Sequence, residues 1–152
     1  MVAHGSAKIG KGSAIWRTTE ILGVENLVIG EDSCIAWHCQ IDARTGLIIG
    51  DHVAIASYAK IIAGSHDLET PEFWSIAAPI HIDNYALIAT GALIGHGVRI
   101  SKGAVVTAST IMLSKEVAPY KIVGGSGAKS MGERPRNFNY KVGGKGLFTL
   151  YH

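Results

Sequence analysis

Charge is scarce in this chain. Only 17% of its 152 residues are Asp, Glu, Lys or Arg, and they balance to a formal +2. A balance that even excludes the strongly basic footprint of a nucleic-acid binder. The sequence has two cysteines, Cys34 and Cys39. So few thiols read as core groups in a reducing compartment rather than a bridge or a metal site, which makes the cytoplasm the expected location. No apolar run is long enough to cross a bilayer, and no signal-peptide pattern follows Met1. Neither a heptad nor a 3.6-residue period organises the hydrophobics, so coiled coils and long amphipathic helices are excluded as the main architecture.

A period of six is present instead. Aliphatic residues recur at Ile9, Ile15 and Ile21, at Ile29, Ile35 and Ile41, and at Ile49, Ile55 and Ile61. After a gap they resume as Ile82, Ile88, Ile94, Ile100, Val106 and Met112. The residue four places later is almost always small, from Ser13 and Thr19 to Ala104 and Thr110, with Glu25 and Glu116 as the exceptions. Short strands joined by tight corners fit six: the aliphatic residue points inward and stacks on its equivalent one turn away, and the small residue fits a narrow corner. A repeat of this kind cannot bury its apolar side alone, so the units must stack. The period therefore predicts an all-β parallel β-helix of hexapeptide repeats with about five turns. Leu27-Val28 and Leu47-Ile48 are two-residue insertions for corner loops to absorb.

The chain reads as one domain over residues 1–152, with repeats at 9–65 and 82–112, a protruding loop at 66–80 and a C-terminal tail at 115–152. The loop carries Pro71 and the adjacent aromatics Phe73 and Trp74, and a long excursion from a regular solenoid is usually functional. The tail is basic, Gly-rich and broken by proline. It fits a short terminal helix or strands crossing to a neighbour equally well. The 47% hydrophobic content, laid on flat flanks, points to association between copies.

The stretch GSHD at 64–67, followed after the loop by PIHIDNYALIATGALIGHGVRISKGAVVTASTIMLSKEVAPYKIVGGSGAK, resembles the hexapeptide-repeat acyltransferases. The likeness is to bacterial sugar O-acetyltransferases of the galactoside, maltose and colanic-acid type. It implies a left-handed helix, an exception to the usual right-handed crossover. It also implies a homotrimer with acetyl-CoA as co-substrate between subunits, no metal requirement, and a part in polysaccharide biosynthesis.

His66 stands where the repeat breaks and where the family carries its catalytic histidine. Acetyl transfer to a hydroxyl needs the hydroxyl proton removed during attack, which suits a neutral imidazole. A backbone N–H at a solenoid corner is the expected donor to the tetrahedral oxyanion. Asp67 shapes the loop or meets the acceptor. The stretch IDARTGLIIGD at 41–51 is similar to the serine acetyltransferase motif, with Ala43 where those enzymes have histidine, so a small free amino acid is not the expected acceptor. Asp42 either faces the acceptor hydroxyls or is an ordinary exposed second position of a hexad. Trp37, His38 and Trp74 offer aromatic faces to a sugar ring, or pack the trimer. For coenzyme A the resemblance implies backbone pairing along Thr90, Gly91, Ala108 and Ser109, with Lys115, Lys129 and Arg134 for the phosphates.

The chain departs from the family pattern at Leu87, which replaces a corner tryptophan, and in the segments IATG, ISKGA and GSGAK. Three other classes compete. A γ-class carbonic anhydrase needs three zinc-binding histidines, but the histidines at 4, 38, 52, 66, 81, 96 and 152 include no pair five apart. An amino-sugar N-acetyltransferase would use the same base and the same thioester. A non-catalytic scaffold would have no use for GSHD. A sugar-phosphate nucleotidyltransferase is excluded because the chain is too short for its first domain.

Overall fold

A computed structural model describes residues 5–113 and 116–143. The strands are only two to five residues long, because each hexad gives one flat side before the chain must turn. They stack into three parallel sheets, the faces of a prism. The first face runs through Lys8–Ile9, Leu27–Ile29, Leu47–Ile49, Ile80–Ile82, Arg99–Ile100 and Glu116–Val117. The second holds Ala14–Ile15, Cys34–Ile35, Ala54–Ile55, Leu87–Ile88, Val105–Val106 and Lys121–Gly124, and the third Glu20–Leu22, Gln40–Asp42, Lys60–Ile61, Leu93–Ile94 and Ile111–Met112. Register pairs equivalent residues turn on turn, as in Ile9 to Ile29 and Ile35 to Ile55. The isoleucines of the sixfold repeat, Ile35, Ile41, Ile49, Ile55, Ile61, Ile82, Ile88, Ile94 and Ile100, are almost wholly buried in one continuous core.

The stack has six turns, not five. Val117 pairs beside Ile100 and Val123 beside Val106, which adds a turn beyond Met112. That turn is one residue shorter than the one before it, and the slip puts Glu116 where the sixfold count expected a small inward residue. The other exception, Glu25, lies in a 3-10 turn over Val24–Asn26. At most corners the small residue is inward as expected, with Ser33, Cys39, Ala59, Ala92 and Thr110 buried. Thr45 and Ser65 depart from this. Insertions at their corners leave Ala43 and Ala63 in the core with Leu47 and Ile80.

The three edges of the prism differ. All the insertions fall on the edge between third and first faces, in three consecutive turns: the 3-10 turn, the Ala43–Gly46 loop and the long excursion. Leu27-Val28 and Leu47-Ile48 are not the looped residues but lie in first-face strands, with Leu27 and Leu47 buried. The excursion is a hairpin rather than a bare loop starting at 66, since Gly64–His66 pairs antiparallel with Ser75–Ala77. The edge between first and second faces is strapped by the tail, which forms neither a terminal helix nor a crossing strand over its described length. Lys129–Glu133 turns back antiparallel on Lys121–Gly124, and the chain then runs down the edge until Gly143 N–H reaches the Asp32 carbonyl (3.0 Å). The third edge, between second and third faces, has bare tight corners. Their non-glycine residues Thr18, His38, Tyr58 and Ser109 take positive φ. This conformation is disfavoured for L-residues, and stacking such as His38 on Tyr58 (5.1 Å between ring centres) helps offset the cost. Both cysteines are buried free thiols. Cys34 lies on a second-face strand, and burial raises both thiol pKa values. None of the described helices is long and apolar enough to cross a membrane.

Candidate active site

The loop-bearing edge holds a cleft of about 350 Å³. Asp42, Arg44 and Thr45 reach it from the corner after the second turn, and Ser65, His66 and Ser75 from the hairpin after the third. Residues 24 apart in sequence share it because a solenoid sets successive turns one strand spacing apart.

His66 is exposed at the end of its hairpin strand, paired opposite Ser75. Its Nδ1 lies 2.9 Å from the Phe73 carbonyl. A carbonyl only accepts, so Nδ1 carries the proton of the neutral ring, and Nε2 is left with its lone pair. The ring lies flat on Phe73, with centres 4.1 Å apart and planes 3° apart. Both contacts fix the plane of the imidazole. Asp67 is used by the loop: its backbone N–H donates to the Trp74 carbonyl (2.8 Å), and its Oδ1 accepts from Glu69 N–H (2.8 Å).

Asp42 is not an exposed hexad position; it is 6% exposed. Arg44 holds it through Nε to Oδ1 (2.9 Å) and Nη2 to Oδ2 (2.8 Å), and the Arg44 backbone N–H adds a third bond to Oδ1 (3.1 Å). Hydrogen bonding from the Arg44 side chain keeps the Asp42 carboxyl below the usual carboxylate range, against the opposing effect of burial. Sequence reasoning missed Arg44. The signal for it was an Asp-x-Arg at the start of the lengthened corner, whose middle residue, Ala43, fills the core.

The remaining candidates do not meet His66 within one copy. Trp74 is in the same hairpin, highly exposed. Trp37 and His38 sit on the bare edge. There the backbone forms a ladder from Tyr58 N–H to the Trp37 carbonyl (3.3 Å), from Gly91 to Ser57 (3.1 Å) and from Ser109 to Thr90 (2.9 Å). Thr90, Gly91, Ala108 and Ser109 therefore share one strip. His38 and Gly91 border a cleft of about 490 Å³ together with Tyr58 and Lys60, while Trp37 and Thr90 line an apolar groove closed by Val142. Lys129 is exposed on the returning strand. Arg134 is engaged on the strapped edge, with Nη1 donating to the carbonyls of Tyr85 (2.9 Å) and Gly103 (3.2 Å) and Nη2 to the Tyr140 hydroxyl (2.9 Å). Lys115 lies outside the described residues. Among the described residues no three His, Cys, Asp or Glu side chains converge as a metal site would require.

No protein-family profile matches the chain. It is 30% identical over 102 residues, 67% of its length, to a protein of Escherichia coli strain K12 named as a colanic acid biosynthesis acetyltransferase, WcaF. It is 34% identical over 125 residues, 68% of its length, to a chloramphenicol acetyltransferase of Morganella morganii. The chain spans 56% and 59% of the lengths of these two relatives. Among solved structures, a hexapeptide-repeat-containing acetyltransferase of Vibrio cholerae complexed with acetyl coenzyme A superposes with a TM-score of 0.78 at 25% identity, over 83% of this chain and 70% of that one.

Proposed function

This chain belongs to the hexapeptide-repeat acyltransferases, and from that premise we propose that it transfers an acetyl group from acetyl-CoA to a saccharide hydroxyl, with His66 as general base. The observation that carries the reading is the Nδ1–H donated to the Phe73 carbonyl, which leaves Nε2 as the proton acceptor at the mouth of the cleft. Nε2 takes the hydroxyl proton as the oxygen forms its bond to the thioester carbon. The tetrahedral intermediate then collapses, the C–S bond breaks, and the imidazolium returns the proton to the departing thiolate. The Vibrio cholerae relative's complex supports acetyl-CoA as the donor. The name of the E. coli relative supports a glycan-related acceptor.

The working unit in this proposal is a homotrimer. Its support is geometric: the strip containing Thr90, Gly91, Ala108 and Ser109 lies on a different edge from His66. A neighbouring copy packed against the third face would set its bare edge beside the loop-bearing edge and complete the site, so that Trp37 and His38 of one copy would approach His66 of another. Light scattering should find three copies, and a stable monomer at micromolar concentration would remove the composite site.

The deciding experiment combines two measurements. Acetyl-CoA should raise the melting temperature, and EDTA should leave that shift intact. A panel of sugars, glycosides and amino sugars should then release free thiol with a hydroxyl-bearing acceptor. Absence of any melting shift at millimolar acetyl-CoA would show that the altered ISKGA and GSGAK segments no longer form a donor site.

A further inference from the structure

We propose that Arg44 makes the cleft selective for an acceptor carrying an oxyanion, a uronate carboxylate or a sugar phosphate, which it receives on the free edge of its guanidinium. The proposal rests on the acetyl-transfer reading for its activity measurements, though not for its binding measurement.

The geometry of the Asp42–Arg44 pair is the starting point. A guanidinium has two edges able to bind an oxyanion bidentately, one through Nε and Nη2 and the other through Nη1 and Nη2. Asp42 occupies the first edge with both carboxylate oxygens. The second has no protein partner among the described residues. The two side chains are also buried unequally: Asp42's is 7% exposed and Arg44's 65%. The carboxylate is thus anchored inside, and the guanidinium faces out beside His66.

Structure alone gives weak grounds for keeping such a pair. An ion pair with one exposed member contributes little to stability, and removing a carboxylate from water has a cost. What the pair achieves is placement. A free arginine side chain gives up much rotamer freedom on binding a ligand, whereas this one is already held, so the ordering cost is met by the fold. The backbone beneath it is equally fixed. Ala43 N–H bonds the Leu22 carbonyl (2.8 Å), Gly46 N–H the Ala43 carbonyl (2.9 Å) and Ile80 N–H the Gly46 carbonyl (3.0 Å), tying the corner to the turns on either side. Asn26 Nδ2 bonds the Arg44 carbonyl (3.0 Å) from the turn before. Asp42 neutralises much of the long-range field of Arg44. Selection therefore acts at contact, through two short charge-assisted bonds, and little through steering from a distance. The cleft volume is at the small end of the usual ligand range of about 300–1,000 Å³, which suits one or two sugar rings with a single anionic group.

The test uses the full chain with acetyl-CoA and three matched probes: galactose, galacturonate and galactose 6-phosphate. An anionic probe should give kcat/KM about tenfold or more above galactose, the difference lying in KM. Arg44→Gln should raise KM for that probe by about 10–100-fold, the value of charge-assisted hydrogen bonds, and collapse the preference ratio towards one. Arg44→Lys should restore part of the ratio, because it keeps the charge and loses the fork. Arg44→Gln leaves the buried Asp42 unpaired, so Asp42→Asn/Arg44→Gln is made alongside it, and both variants are checked by circular dichroism. A higher ratio for galacturonate assigns the oxyanion as a carboxylate, and a higher one for galactose 6-phosphate assigns it as a phosphate. Equal use of galactose and the anions, unchanged by Arg44→Gln, overturns the proposal and leaves the acetyl-transfer reading standing. If no probe is acetylated, melting shifts without acetyl-CoA decide the matter. A shift with an anionic probe that Arg44→Gln abolishes keeps the oxyanion site while the reaction reading fails, and no shift with either anion overturns the site as well.

Discussion

Arg134 on the strapped edge and Arg44 on the loop-bearing edge sit at corners of the same prism and use their guanidinium groups differently. Arg134 donates to two backbone carbonyls and a tyrosine hydroxyl, with its Cζ 4.2 Å from the centre of the Phe138 ring. Around it Tyr85, Tyr120, Phe138 and Tyr140 close into an aromatic cluster. Lys141 extends the strap with an ion pair to Asp32 (3.2 Å). Arg44 is anchored on one edge only, in the cleft that His66 also lines. One region consumes its polar groups internally, and the other presents them. The faces of a solenoid repeat one backbone pattern, so chemistry is assigned at its edges, by asking where side-chain hydrogen bonds end.

The largest test of this contrast is His66→Ala. Turnover should fall by ~10²–10⁴-fold, with melting temperature and acetyl-CoA affinity close to wild type, since the ring fills no inward slot. Wild-type turnover in this variant on a confirmed acceptor would move the base elsewhere, and His38 on the bare edge would be examined next. Arg134→Ala should do the reverse. Loss of its charged hydrogen bonds should cost about 1.5–3 kcal/mol of stability in urea melts, with turnover per folded molecule little changed. A large loss of turnover without loss of stability would place Arg134 in a binding role and erase the distinction between the edges. Phe73→Ala removes the ring beneath His66 but keeps the carbonyl that fixes its tautomer. Turnover should drop about two- to tenfold, the value of an aromatic contact of about 0.5–1.5 kcal/mol. A drop as deep as that of His66→Ala would mean that the ring does far more than hold the plane.

The smallest effect is on pH dependence. Arg44 lowers the folded-state pKa of Asp42 below its unfolded value of about 3.9. The stability contributed by this pair is therefore complete above that value and is lost as pH falls through the folded pKa. Between about pH 5 and pH 2, Asp42→Asn/Arg44→Gln should lose less stability than the wild type. Parallel acid titrations of the two proteins would show that the pair contributes nothing to the fold.

The faces of the prism were legible in the sequence because each inward isoleucine answers to one constraint, repeated. The edges were less legible, because a corner residue's role depends on the turns above and below it. Asp42 read equally as an acceptor-facing group or an exposed second position until the Ala43–Gly46 loop folded its carboxylate inward against Arg44. The tail was ambiguous for a similar reason. Its partners, Asp32, Tyr85 and Gly103, are scattered through the chain and come into line only after the stack has formed. The sixth turn was hidden by the one-residue slip before Val117. His66 was singled out by the break in rhythm and by the likeness around it, although its tautomer-fixing partner Phe73, seven residues on, required the hairpin.

The placement of Asp42, Arg44 and His66 at one corner of successive turns makes distance in this site discrete. A strand neighbour is about 4.8 Å away along the stack, so a group moved to the equivalent corner of another turn shifts by whole multiples of that step. Loop length at the corner adjusts reach sideways without altering the rung. Variants of the site therefore form a ladder of fixed spacings, and transplanting the Asp42–Gly46 loop one turn earlier should move its guanidinium a full rung away from the imidazole while every isoleucine keeps its place.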